Sequence, residues 1–272
     1  MTPPAMPSIP RSTVIAFAAG FAGLMPMATD VYLIVMPAIA RDFGASLAAT
    51  HASMAAFALG FGVAQLFVGA LADRYGRRPV AIYGALLFLV ATIAVTWAPT
   101  LELLTFCRFI QGLLIATCPI LSRAIVRDAV PPERAARAYA LVNAFAGLSP
   151  LTAPFIGAAA ASWGGWRTAM ALLLVYGVLL LIAVVAWLPE TRPRGGTPAP
   201  ALTPLAAARE VWSHPHFLLG CAMSMLLYSA LFTWLSTSPF LMMDRLGFSQ
   251  VDTAIVLGLG SLGYMGGSFA SA

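Results

Sequence analysis

The chain of 272 residues contains no lysine. Charge of any kind is scarce: 9% of its residues are Asp, Glu, Lys or Arg, against the roughly 25% of a soluble domain. That is too little to wet the surface of a globule of this size. All fifteen basic residues are arginine, spread among short loops rather than gathered on one basic face. The net charge of +5 therefore does not describe a nucleic-acid binder. Cysteine is also rare. Cys107, Cys118 and Cys221 lie singly in apolar stretches without metal or redox spacing, and read as small core residues. The motifs H-E-x-x-H, G-x-S-x-G and G-x-x-x-x-G-K do not occur. A zinc hydrolase motif, a nucleophile elbow and a phosphate loop are thus missing. Neither an enzyme nor direct use of ATP is indicated, and no metal or cofactor is expected.

What the chain does have is long apolar runs. It is 60% hydrophobic, with a mean hydropathy of +0.88. Eight runs are long enough to cross a bilayer, which takes about 20 residues each. They are 13–40, 52–72, 79–97, 101–121, 138–161, 166–188, 217–240 and 253–272. The first is too long for a signal-peptide core and contains Asp30. Within the runs, charge is confined to Asp30 and Arg108 and, at helix ends where they can reach the interface, to Glu102 and Arg167. The expectation is an all-α membrane protein.

Arginine placement sets the expected orientation. The N-terminus and the connections after spans two, four and six hold eleven arginines, and the other side holds Arg41, Arg167 and Arg245. The N-terminus is therefore expected in the cytoplasm. Between spans six and seven, residues 189–215 form a linker rich in proline, with Pro189, Pro193, Pro198, Pro200, Pro204 and Gly195-Gly196. The chain divides into a six-helix unit at 1–188, this linker, and two helices at 216–272.

Four groups of residues could carry function. The first is the turn Gly69-Ala70-Leu71-Ala72-Asp73-Arg74-Tyr75-Gly76-Arg77-Arg78, which crowds one Asp, three Arg and two Gly between uncharged spans. The second is Asp30, about eleven residues before Arg41 and so roughly 16 Å from the outer surface. A carboxylate at that depth is costly and marks a functional position. Burial and a neighbouring cation act oppositely on its proton affinity, and the sequence leaves the balance open. The third is Arg108 with Gln111, roughly 10 Å deep in the same half of the membrane. Opposite charges at similar depth are natural partners, so an Asp30–Arg108 pair is the simplest expectation. The fourth lies in span five, where Ser149, Pro150, Ala153, Pro154 and Gly157 combine two bending prolines with small residues on one helix. The methionines of spans one and seven suit an apolar pocket or a lipid face. His51, His214 and His216 sit at expected helix ends and read as interfacial.

The turn closely resembles the signature loop between helices two and three of the major facilitator superfamily. R-x-x-Q-G at Arg108 resembles the fourth-helix motif of its antiporters. The span-five segment is similar to their G-x-x-x-G-P-x-x-G-G signature, with Ser149, Ala153 and Ala158 replacing three glycines. Thr29-Asp30-Val31-Tyr32-Leu33, Leu188-Pro189-Glu190-Thr191 and Leu235-Ser236-Thr237-Ser238-Pro239-Phe240 resemble the drug:proton antiporter branch, and within it the bicyclomycin and chloramphenicol resistance family. The resemblance implies a complete six-helix N-terminal half plus two helices of the C-terminal half, in the bacterial inner membrane. It implies a carrier that expels hydrophobic small molecules in exchange for protons, with cargo, protons and the lipid bilayer as partners and neither nucleic acid nor ATP. Asp30 would bind the proton, Arg108 and Gln111 would respond to it, and Gly69, Asp73, Arg74, Gly76, Arg77 and Arg78 would form a conformational latch. A full member carries twelve helices, so this chain is expected to be C-terminally truncated and to insert without pumping. A metabolite facilitator of the same fold, or a non-transporting membrane fragment, are the rival expectations.

Overall fold

The computed structural model describes residues 11–191 and 213–270. Among the described residues the regular structure is helical, with no strand. This follows from the apolar runs, since a backbone in lipid must satisfy its own polar groups. Helix α1 spans Arg11–Asp42, α2 Leu47–Tyr75, α3 Arg77–Thr96, α4 Leu101–Ile115, α5 Thr117–Ala129 and α6 Pro132–Trp187. Helix α7 spans Pro215–Phe240 and passes into a π-helical turn at Leu241–Arg245, and α8 spans Gln250–Ala270.

Six described helical stretches are long and apolar enough to cross a membrane, with α8 a shorter apolar helix over 250–260. Helix α6, at 56 residues, is far too long for one crossing. Its backbone leaves helical geometry at Gly164 and at Gly165, where φ is +74°. The parts on either side are the expected fifth and sixth spans. Conversely, α4 and α5 together make the fourth. They part at Ala116, where Pro119 has no N–H to offer the Ile115 carbonyl.

One boundary differs from expectation. The fourth span was expected to end near Leu121, yet helix persists to Ala129. Arg123 and Arg127 therefore stand on α5, and Arg134 and Arg137 stand on α6 rather than in a loop. The apolar run marks where lipid ends. Helical hydrogen bonding continues past that point into the polar layer. Most of the 189–215 linker lies outside the described residues.

Helix α1 runs through the middle of the bundle. Val31, Tyr32, Leu33, Ile34, Val35 and Met36 are all buried, and α1 packs on α2, α5, α6, α7 and α8. Helix α7 is exposed along most of its length, with Ser238, Pro239 and Phe240 at its end buried. Beside that end, Arg41 faces Asp244 at 3.4 Å and the His51 ring lies 5.4 Å from the Phe240 ring. At the same end of the bundle Asp42 accepts hydrogen bonds from Trp166 Nε1 (2.9 Å) and Arg167 Nη1 (2.7 Å). Arg167 thus meets a carboxylate at a helix end, immediately after the Gly164-Gly165 break.

Candidate functional site

The Gly69–Arg78 turn builds a closed polar cluster at the other end of the bundle. Arg77 opens α3, and its side chain is only 4% exposed. Its Nη1 pairs with Asp73 on the last turn of α2 at 2.6 Å, and its Nε pairs with Asp128 on α5 at 2.9 Å. Asp128 is as deeply buried as the arginine, while Asp73 is 65% exposed. The backbone N–H groups of Arg77 (2.8 Å) and Arg78 (3.3 Å) donate to the two carboxylate oxygens of Glu190, just beyond α6. A helix starts with unpaired N–H groups and a partial positive charge. Here Gly76 at the cap position has no side chain to offer, so a carboxylate from more than a hundred residues away fills the role.

Gly76 is required twice over at that point. Its φ of +101° disfavours any residue with a Cβ, and a Cβ there would collide with the Glu190 carboxylate. Arg78 Nη2 donates to the Val185 carbonyl of α6 at 2.9 Å, and Arg74 lies over the Tyr75 ring at 5.3 Å. Gly69 lies one turn back on α2 in open space. The turn therefore ties α2, α3, α5 and the end of α6 together. Asp128 and Glu190 were not among the residues expected to act here.

The membrane-embedded residues are arranged differently from expectation. Arg108 is fully buried, and among the described residues it forms no ion pair with Asp30. Its Nη1 donates to Gln111 Oε1 at 2.7 Å, and its guanidinium lies against the rings of Tyr32 and Phe57. The physical reason is azimuth. Tyr32 is two residues from Asp30, about 200° around the same helix. With Tyr32 turned to α4, Asp30 is turned away. The Oδ2 atom of Asp30 is buried with no hydrogen-bond partner among the described residues.

The span-five residues pack against that same helix. Ser149 reaches toward the Gly23 carbonyl at 3.5 Å, and Gly157 lies against Val31 and Ile34, one and four residues from Asp30 along α1. Ala153 is fully buried. Helix α6 runs unbroken through Pro150 and Pro154. Asp30 thus sits on the helix that the span-five motif touches, while Arg108 and Gln111 form a separate group on the α2–α4 side. Among the described residues no group of His, Cys, Asp or Glu is arranged to hold a metal ion.

An arginine-rich turn with Arg77 buried in it, and Asp30 with a buried carboxylate oxygen midway along a central helix, are set in a bundle of apolar helices. This combination agrees with the family comparison, in which residues 15–272 match the Major Facilitator Superfamily. The chain belongs to that superfamily. It is similar to the Multidrug resistance protein MdtL of Klebsiella pneumoniae subsp. pneumoniae, with 32% identity covering 91% of this chain and 63% of the relative. The protein of the same name from Escherichia fergusonii is 34% identical over 87% of this chain and 60% of its own length. The chain thus spans less than two thirds of these curated relatives.

Among solved structures, the fold resembles a bacterial homolog of the human lysosomal transporter Spinster in an inward-facing, unoccupied conformation. The TM-score is 0.77 at 22% identity, covering 97% of this chain and 63% of that one. It also resembles a D-xylose-proton symporter, with a TM-score of 0.68 at 15% identity, covering 93% and 66%. These likenesses fix the fold, an all-α membrane bundle of the major facilitator type. Membership places the chain among multi-pass membrane transporters rather than enzymes.

Proposed function

We propose that this chain is part of a proton-coupled efflux carrier of the bicyclomycin and chloramphenicol resistance type. It would expel hydrophobic, drug-like molecules across the bacterial inner membrane, with the N-terminus and the Gly69–Arg78 turn in the cytoplasm. The observation that carries the reading is Asp30. It is a carboxyl group in the middle of the central helix, with a buried oxygen that no group among the described residues satisfies. Such a position is costly to maintain and suits a group that takes up and releases a proton during the cycle. The multidrug resistance names of the relatives support a drug cargo.

In this reading the cytoplasmic cluster acts in switching rather than in cargo binding. Arg77 holds α2 and α5 together through Asp73 and Asp128, at the opposite end of the bundle from the Arg41–Asp244 contact. Helices α1 and α7 meet at the outer end, while most of α7 is exposed. This suits a carrier open toward the cytoplasm, in which two bundles rock about a midplane site.

The test is efflux from everted vesicles of cells expressing the whole carrier of which this chain is part, across a panel of hydrophobic drugs. Uncoupler should abolish accumulation by the unaltered protein. Asp30→Asn keeps the side-chain shape but cannot release a proton, so it should abolish uphill transport and leave downhill exchange. Full proton-driven efflux by Asp30→Asn would remove Asp30 from the coupling role. Uncoupler-insensitive movement of metabolites, with no change in drug susceptibility, would favour a metabolite facilitator.

A further inference from the structure

Arg108 is 0% exposed, and among the described residues it forms no ion pair. Its guanidinium carbon lies 4.1 Å from the centroid of the Tyr32 ring on α1 and 4.0 Å from that of Phe57 on α2. Both are well inside the ~6 Å reach of a cation–π contact. Nη1 donates to Gln111 Oε1 at 2.7 Å, Gln111 Nε2 donates to Thr92 Oγ1 on α3 at 2.7 Å, and the Thr92 hydroxyl donates to the Phe88 carbonyl at 2.7 Å. Among the described residues Nη2 meets the Met54 sulfur at 3.5 Å, and Nε has no hydrogen-bond partner.

The surroundings hold this arrangement in place. Tyr32 is fully buried, and its hydroxyl is hydrogen-bonded to Ser53 of α2. Ser53 in turn donates to the Thr50 carbonyl at 2.6 Å, which leaves the tyrosine as the donor. Phe57 is brought to Arg108 by a close crossing of α2 and α4. Gly60 of α2 lies against the Phe109 carbonyl and Gly112 of α4 against the Phe57 carbonyl, so tightly that a Cβ at either would collide with backbone.

A buried cation with no carboxylate normally carries a large desolvation penalty. The faces of two aromatic rings present negative charge density and, in a desolvated setting, offset part of it. We propose that Tyr32 and Phe57 are positioning residues for Arg108, two rings that stand in for a counter-ion. They hold the guanidinium at the junction of α1, α2 and α4 without committing it to a carboxylate. The proposal rests on the reading of Arg108 as a coupling residue, and it adds how that residue is kept available. A cation locked to an acid must break a strong pair to respond to a change elsewhere. A cation held by rings can shift toward a newly charged group at lower cost. Tyr32 is also two residues from Asp30 on one rigid helix, so any rotation or slide of α1 moves the proton site and the ring face together.

The experiment combines conservative rescue with a double-mutant cycle. Tyr32→Phe keeps the ring and loses the Ser53 bond, whereas Tyr32→Leu and Phe57→Leu remove a ring. Drug efflux should stay within about two-fold of the unaltered protein for Tyr32→Phe and fall about ten-fold or more for each leucine variant. Stability is read in parallel as the equilibrium unfolding constant in detergent. Tyr32→Leu and Arg108→Met should be non-additive there by roughly two- to thirty-fold, the range of a desolvated cation–π contact. Additive effects, or damage by Tyr32→Phe equal to that of Tyr32→Leu, would overturn the proposal. The stability cycle does not depend on cargo or protons. A non-additive cycle in a protein that shows no proton-driven efflux would keep the ring clamp and refute the efflux reading.

Discussion

Asp128→Ala is the sharpest test of how the arginine-rich turn is held. The carboxylate it removes lies 2.9 Å from Arg77 Nε, and both side chains are about 5% exposed or less. Deleting one partner of a buried ion pair leaves an uncompensated charge, which costs ~3–5 kcal/mol. Asp73 remains against Arg77 at 2.6 Å, but it is 65% exposed and its attraction is screened by water. The expected loss is therefore at the low end, about 3 kcal/mol, or more than a hundred-fold in the unfolding constant. Asp73→Ala breaks a shorter contact at an exposed position and should cost no more than about 1 kcal/mol. Asp128→Asn keeps an oxygen acceptor for Nε and should fall between the two. Equilibrium denaturation in detergent micelles, followed by the fluorescence of the six tryptophans, measures all three. If Asp128→Ala cost no more than Asp73→Ala, burial would not govern the cluster and the reasoning would fail.

Two further outcomes are expected. Gly76→Ala should destabilise by roughly 1–3 kcal/mol, since it adds left-handed backbone strain to a clash with Glu190. Adding Glu190→Ala should recover only the clash portion in the same denaturation assay, and full recovery would show that φ at Gly76 carries no strain. For orientation, single cysteines replacing exposed Ser46 and exposed Glu133 should react with an impermeant thiol reagent from opposite faces of the membrane. Reaction of both from outside would overturn the arginine count as a guide to topology.

The spans were legible because a bilayer imposes a length and an apolarity on any segment that crosses it, and nothing else in a chain mimics runs such as 166–188. The turn was legible because its partners Asp73 and Arg77 are four residues apart. Level along the bundle was legible too, since Arg108 meets Tyr32, two residues from Asp30. Azimuth was not. Whether two residues at one depth face each other depends on how each helix is rotated, and α1 presents Tyr32 rather than Asp30 to Arg108. Asp128 and Glu190 were missed for a related reason. Each meets the turn across a long sequence separation, 51 residues for Asp128 and 113 for Glu190. An acid on an arginine-bearing helix that runs past its apolar stretch, as Asp128 does on α5, was the available signal. The fourth apolar run ends near Leu121 while its helix continues to Ala129, and that difference hides Asp128.

The Glu190 carboxylate has a mechanical meaning. It is both the cap of α3 and the second residue of the proline-rich linker, with one turn-end glycine leaving room for it to dock. Any tension transmitted along that linker therefore arrives first as a pull on the hydrogen bonds that start α3, and through Arg77 on α2 and α5. The linker's attachment point works as a tether anchored in the turn rather than as a passive spacer. Lengthening the chain beyond Glu190 would slacken that tether while leaving every contact within the bundle intact.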